Sequence, residues 1–474
     1  MMKACKTGLS TKRPRSVDPP IQIKSRTNLL TFPLEEQTMG VPPKAFRFQS
    51  QSRNTWQRLG ERVGKLEASS ASKLCLPRSG GKSHKRQLKL DGRRRKMSWI
   101  QRAKLYKKIE DRRQHPLLAY VTSKRPGIVA HMATDALAYV IKQLDALPDG
   151  TKHLDFLIAS NGGDPMVAWR VLTLMRERLG ENGEVSVLVP QSAYSAATLL
   201  AFGANHIVMH PNGHLGPVDM QITTYDEAGF PRQFSTEEVT AFLDFVRDNL
   251  RITDQQHLRA LFEMTCKEVT TLGIGFTARS SKLAVDLGQH LLQMHMKGEE
   301  AGAKARLIVE NLSKKFQHHG YPVSRTEALD LGLPVNKERD VDLEKLMWEV
   351  WLNFEDELQE NDPFEPILEL MKSTQAKKLL APVPQLAMPR GLTGNLNYQT
   401  SIEDANKASK IKIDPVDFEY TNANVESLRF GYAQKTKGKI LSCRMPDMII
   451  RHNTITTART WERFEEPKKE TVQS

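Results

Sequence analysis

Residues 187–219 read VLVPQSAYSAATLLAFGANHIVMHPNGHLGPVD, an apolar stretch in which a small hydroxyl, Ser195, is followed by two alanines. The run VSVLVP before it has the length and β-branched content of a buried strand, and AATLLAF after it has the composition of a buried helix. Ser195 therefore falls where a strand gives way to a helix. A serine at that point fits two roles. It can cap the helix through its side-chain oxygen, or it can present a nucleophile beside free amides at the positive end of the helix.

Working outward, the flanking text repeats the same alternation. LLAYVTS reads as a strand, HMATDALAYVIKQLDAL as a helix, HLDFLIAS as a strand and PMVAWRVLTLMRERL as a helix; HIVMHP is a further short strand. Continuously apolar strands separated by helices imply parallel pairing with both sheet faces covered, so the fold class is α/β. Residues 236–315 read as a mostly helical extension. SRTEALDLGLPV then predicts a short helix stopped at Gly332 and followed by a final apolar strand. VDLEKLMWEVWLNF carries Leu343, Leu346, Val350 and Trp351 on one stripe, which predicts a closing helix.

The ends of the chain differ from this body. Of the 474 residues, the first 96 hold 23 Lys+Arg against 6 Asp+Glu, which leaves the remainder at −3 although the whole chain is at +14. Residues 1–96 show no sustained periodicity and are expected to be a disordered basic leader. Met97, opening the amphipathic MSWIQRAKLYKKIEDRRQHP, is a conceivable alternative start. Residues 97–356 are expected to form the catalytic-type domain, and 357–474 an accessory or partly disordered region. The leader suggests contact with nucleic acid, a membrane or an acidic partner, but it carries no recognisable reading motif. GGKS at 80–83 lacks the preceding strand and first glycine of a phosphate loop.

Cys5, Cys75, Cys266 and Cys443 form no CxxC pair, so neither a metal site nor a disulfide framework is indicated and a reducing, cytoplasmic setting fits. No apolar run is long enough to span a bilayer, and no signal-peptide core opens the chain. HExxH, GxSxG and the dinucleotide glycine fingerprint are all absent, so no metal or cofactor is expected.

SNGGDP at 160–165 is a second strand-to-helix turn. Gly162 and Gly163 permit a tight reversal with amides directed into open space, and Asp164 suits a cap over Pro165. Two such turns after parallel strands lie at one carboxyl edge of the sheet, where open α/β sheets bind ligands.

DFLIASNGGDP, the 187–219 stretch and HHGYPVSRTEALDLGLPV, in that order, resemble the serine dehydrogenase proteinase family, prokaryotic serine peptidases of the Clp-protease/crotonase superfamily. The likeness spans about residues 97–336 and extends more remotely to signal-peptide peptidase A. It implies a Clp/crotonase-like core of repeated ββα units and a peptide-hydrolysing activity, together with assembly into homo-oligomers. By the same resemblance Ser195 stands at the nucleophile position, and Gly162 or Gly163 stands with Ala196 at the oxyanion-hole positions. His319 matches the imidazole of the family's THDYPI stretch, here HHGYPV, with Gly320 in place of the aspartate. Val218 and Asp219 occupy the place where Clp-type peptidases carry their histidine. The implied machinery is Ser195 with His319 as base and Asp219 as its orienting carboxylate. A Ser/Lys dyad would instead draw on Lys267, Lys314 or Lys315, none of which falls in a motif. His318, His210 and His214 read as surface or turn residues. Two other function classes keep the same fold: a non-hydrolytic interaction protein docking through the basic leader, and a crotonase-type acyl-CoA enzyme.

Overall fold

A computed structural model describes residues 99–218, 221–225, 231–314, 320–380, 410–445 and 449–464. The basic leader expected over 1–96 lies outside the described residues.

Four short apolar runs make the parallel heart of the molecule: β1 (Leu117–Thr122), β2 (His153–Ala159), β3 (Glu184–Val189) and β5 (His206–Met209). They lie side by side in that order, in parallel register from Leu117↔Asp155 through Leu157↔Leu188 to Val189↔Met209. Successive side chains of a strand point to opposite faces, and both faces here are covered. Leu118 and Tyr120 of β1 join one core with α2 (Leu137–Asp145), α3 (Pro165–Leu179) and α4 (Ala196–Phe202). Leu117, Ala119 and Val121 join the other, against α1 (residues 99–113) and α10 (Val341–Leu358). This two-sided burial is why the strands read as unbroken apolar runs. The chain is thus α/β, with parallel strands β1, β2, β3 and β5 at the heart of its sheet.

The sheet does not end at β1. β10 (Val416–Ser427) pairs antiparallel with β1 from Leu118↔Ser427 to Thr122↔Ala423, and β11 (Gly431–Arg444) and β12 (Ile450–Phe464) continue it outward. β9 (Ile411–Lys412) pairs with the end of β11. A buried polar cluster fastens this addition. The Arg102 guanidinium on α1 donates to both oxygens of Glu426 on β10, at 2.6 and 2.9 Å, to Asn353 Oδ1 at 2.7 Å and to Glu357. Tyr106 donates to the same Glu426 carboxylate at 2.6 Å. Burial drives the Glu426 pKa up and the facing Arg102 opposes it.

The helical extension expected over 236–315 is present as α5 (Thr236–Asp244), α6 (Gln255–Val269), α7 (Thr271–Gln293) and α8 (Ala301–Lys314). The short helix before Gly332 is α9 (Arg325–Asp330), begun by a capping box between Ser324 and Glu327. The strand expected after it is reduced to one bridge, Val335 beside Ile207, because the main chain leaves that edge of the sheet at once for α10.

Candidate active site

Beyond the carboxyl ends of β1–β3 the chain builds a second, smaller layer. β4 (Ser192–Ala193) pairs in parallel with β6 (His214–Leu215). Leu215 exchanges amide bonds with Val323, 3.0 and 2.8 Å long. On the other side, Ser160 N–H donates to Ser192 O and Tyr194 N–H to Ser160 O, both at 3.0 Å. The two strand-to-helix turns singled out in the sequence are therefore laced together through Ser160 and β4.

The first turn is Asn161–Asp164. Asp164 caps α3, its carboxylate accepting from Met166 N at 2.9 Å over Pro165 at the first helical position. The two glycine amides differ. Gly162 N–H is taken by Ser160 Oγ at 3.0 Å, and that oxygen also accepts from Thr122 Oγ1 at 2.7 Å. Gly162 O accepts from Met132 N at 2.8 Å. Since Gly163 N belongs to the same trans peptide, its N–H points away from Met132. It finds no acceptor among the described residues.

The second turn is Pro190–Ser195. Ser195 adopts φ 50° and ψ −115°, a conformation that side chains other than glycine rarely take, and its hydroxyl makes no capping bond to α4. The cap role open from sequence is thus not the one it fills. Tyr194 O accepts from Ala197 N at 2.9 Å instead, and Thr198 Oγ1 ties the turn to Ala193 O and Gly216 O at 2.7 and 2.9 Å. Ala196 N–H, at the positive end of α4, has no acceptor among the described residues. Ala196 and Ala197 are wholly buried, so larger side chains find no room there. Ser195 itself is half-buried.

The turns meet at Gly162, whose φ is +96°. A methyl group built on it would lie 2.6 Å from Tyr194 O, 2.8 Å from Ser195 Cβ and 3.0 Å from Ala196 N. Only a hydrogen at this position lets the glycine turn approach the serine.

Around the serine, the Tyr194 ring covers Gly216 so closely that a Cβ there would overlap it, and stands edge-on to His214 with centroids 5.3 Å apart. Burial lowers the His214 pKa, opposed by its bond with Asn212 O and reinforced by Lys124. Tyr194 Oη donates to Gly320 O at 3.3 Å. Val218 is buried and its carbonyl accepts from Ser313 Oγ at 3.1 Å.

Of the residues singled out in the sequence, Ser195, Gly162, Gly163 and Ala196 are brought together. His319, Asp219, His318 and Lys315 lie outside the described residues, each next to or within four residues of an anchored one: Val218, Lys314 or Gly320. Lys267 is exposed on α6, a helix with no buried residue. His210 is a turn residue, its Nδ1 accepting from Asn212 N at 3.0 Å and its ring stacked on Trp348. Among the described residues no side chain hydrogen-bonds Ser195 Oγ, and no group of three His, Cys, Asp or Glu is placed to hold a metal. Sequence reading missed Ser160, Tyr194 and Thr198, whose roles depend on partners in other elements, and Lys124, which reaches β4 from the end of β1.

Residues 92–242 match the family model of the ClpP-like SDH-type serine proteinases. Two proteins of Methanocaldococcus jannaschii are similar over part of their length. The uncharacterized protein MJ0137 is 24% identical over 197 residues, 42% of this chain and 58% of its own. The uncharacterized protein MJ1495 is 22% identical over 183 residues, 39% of this chain and 52% of its own. The chain thus spans little more than half of these curated relatives. Two solved structures of a 1510-N membrane-bound stomatin-specific protease also align. One, an alanine variant, gives a TM-score of 0.30 at 13% identity, over 49% of this chain and 84% of that one. The other, a variant with a substrate peptide, gives 0.28 at 15%, over 48% and 77%. The strand-turn-helix motifs and the paired turns described above both fall inside the stretch that matches this family model, residues 92–242.

Proposed function

We propose that the chain is a serine peptidase that cleaves peptide bonds through an acyl-enzyme on Ser195. The observation that carries this reading is the conformation of Ser195: strained, uncapped and pressed against the one glycine that admits it. Strain at a residue that does no capping is what a presented nucleophile needs and what a structural serine does not.

In this mechanism Ser195 Oγ attacks the peptide carbonyl carbon and gives its proton to His319, with Asp219 orienting the imidazolium. The carbonyl oxygen becomes an oxyanion that accepts from Gly163 N–H and Ala196 N–H, two amides with no acceptor among the described residues. Gly162 serves by its closeness, since its own N–H is engaged by Ser160. Collapse of the intermediate breaks the C–N bond, and the amine leaves with the proton from His319. Water, deprotonated by the same base, then releases the acyl group and restores the serine. The hydrogen bond from Tyr194 to Gly320, the residue after His319, supports bringing that stretch to the nucleophile.

The test is a fluorophosphonate probe with the adduct mapped by peptide mass spectrometry. The expected result is a single adduct on Ser195. An adduct elsewhere would remove Ser195 from the nucleophile's role, and no adduct together with salt-sensitive binding to nucleic acid or anionic vesicles would favour the non-hydrolytic interaction protein instead.

A further inference from the structure

Lys124 stands two residues beyond β1, where the chain leaves the sheet, and plays no part in the mechanism above. Its ammonium donates to Gln191 Oε1 and, at 2.9 Å, to Ser192 Oγ, and it sits 3.9 Å from the centre of the Trp351 ring on α10. Ser192 Oγ in turn donates to Gln191 Oε1 at 2.5 Å. The Lys124 backbone N–H is held by Glu360 Oε1 at 2.9 Å. The amine is therefore fixed from behind by an aromatic face and grips two consecutive side chains of the segment that becomes β4.

What it grips matters because β4 is the seam of the site. Ser192 O accepts the Ser160 amide that starts the glycine turn, and Ser195 follows three residues later. We infer that Lys124 is a positioning residue: its ammonium clamps β4 to the end of β1 and so sets where Ser195 stands against Gly162. This inference rests on the peptidase reading for its effect on catalysis, but the clamp itself does not.

The clamp has a pH signature. Burial lowers the Lys124 pKa to about 8, against the opposing pull of Glu360 and Glu355; among the described residues His214 on β6 is a further titratable group that feels its charge. Charge-assisted hydrogen bonds are stronger than neutral ones, so the grip is firm below pH 8 and slackens above it. Global stability moves the other way. The folded amine holds its proton less tightly than the unfolded one, so between about pH 8 and 10.5 the unfolded chain binds more protons and this group's contribution to stability rises with pH. A lysine that merely stabilised the fold would move both quantities together.

The experiment compares wild type with Lys124→Met in full-length protein. At pH 7 the variant is expected to label with fluorophosphonate about tenfold more slowly, and adding Gln191→Leu to it is expected to cause little further loss. Relative to the variant, wild-type labelling should fall as pH rises through 8 while its resistance to denaturant increases. Labelling within twofold of wild type, or labelling and stability curves that run parallel, would overturn the inference. Should Lys124→Met fail to fold, the opposed pH trends in wild type decide alone. If wild type does not label at all, the peptidase reading fails and the clamp is judged by hydrogen exchange. Intrinsic-rate-corrected protection of 190–195, but not of 117–122, should then drop between pH 7 and 9, and unchanged protection there would refute it.

Discussion

Ser195→Gly is expected to be more stable than wild type by about 1 kcal/mol and to lose fluorophosphonate labelling altogether. Ser195 holds φ 50° and ψ −115°, the backbone setting of the first central residue of a type II′ turn, where glycine is preferred. Holding a residue with a Cβ there costs on the order of 1–3 kcal/mol, which glycine relieves, less about 1 kcal/mol for the greater freedom of its unfolded chain. A capping serine would behave otherwise: its replacement by glycine would cost a few tenths of a kcal/mol. Denaturant unfolding reads the sign. A variant less stable than wild type would return Ser195 to a structural role.

Gly162→Ala is the converse case, expected to lose both stability and labelling. The new methyl group would sit 2.6 Å from Tyr194 O and 3.0 Å from Ala196 N, backbone atoms held by the bonds to Ala197 and to the Ser160 bridge, so they have little room to give. The turns must part. Overpacking together with positive-φ strain costs roughly 2–4 kcal/mol, and misplacing the oxyanion donors costs about 100-fold in labelling rate. Gly150 provides the control: its φ is +75°, yet nothing lies within 4 Å of an added Cβ. Gly150→Ala is expected to show the φ penalty alone with labelling intact. If the two substitutions behave alike, contact between the turns is not what the site depends on.

The parallel strands and their covering helices were legible because two-sided burial writes itself as uninterrupted apolar text. β10 was not. Its residues Thr421, Asn422, Asn424, Glu426 and Ser427 are all buried, and three of them bond to partners remote in sequence: Asn422 Nδ2 donates to Thr436 Oγ1 at 2.7 Å, Asn424 Nδ2 to Glu357 Oε1 at 3.2 Å, and Glu426 takes Arg102. Such a strand carries no hydrophobic alternation, so TNANVES reads as loop and the tail as irregular. β4 and β6 have two residues each, too few for any period to register.

At the site, sequence supplied the residues but not the choice between their roles. A serine before a buried helix is compatible with a cap or a nucleophile; what separates them is a backbone angle and the approach of Gly162, both set by the Ser160–β4 lacing. Likewise Gly162 and Gly163 are equivalent in text. The structure distinguishes them by Ser160 Oγ, which occupies one amide, and by Met132, which turns the other away from itself. Lys124 follows an apolar strand as an ordinary solvent-facing lysine would, and its partners at 191, 192 and 351 lie outside any local pattern.

The central claim is that two strand-to-helix turns bring one hydroxyl and two free amides to a single reacting carbonyl. The most direct measurement is a crystal structure of the protein inactivated by a peptide aldehyde. The carbonyl-derived oxygen is expected within about 2.7–3.1 Å of both Gly163 N and Ala196 N, with the covalent bond to Ser195 Oγ. An adduct on Ser195 whose oxygen faces away from the 162–163 turn, or a bond to any other side chain, would contradict it.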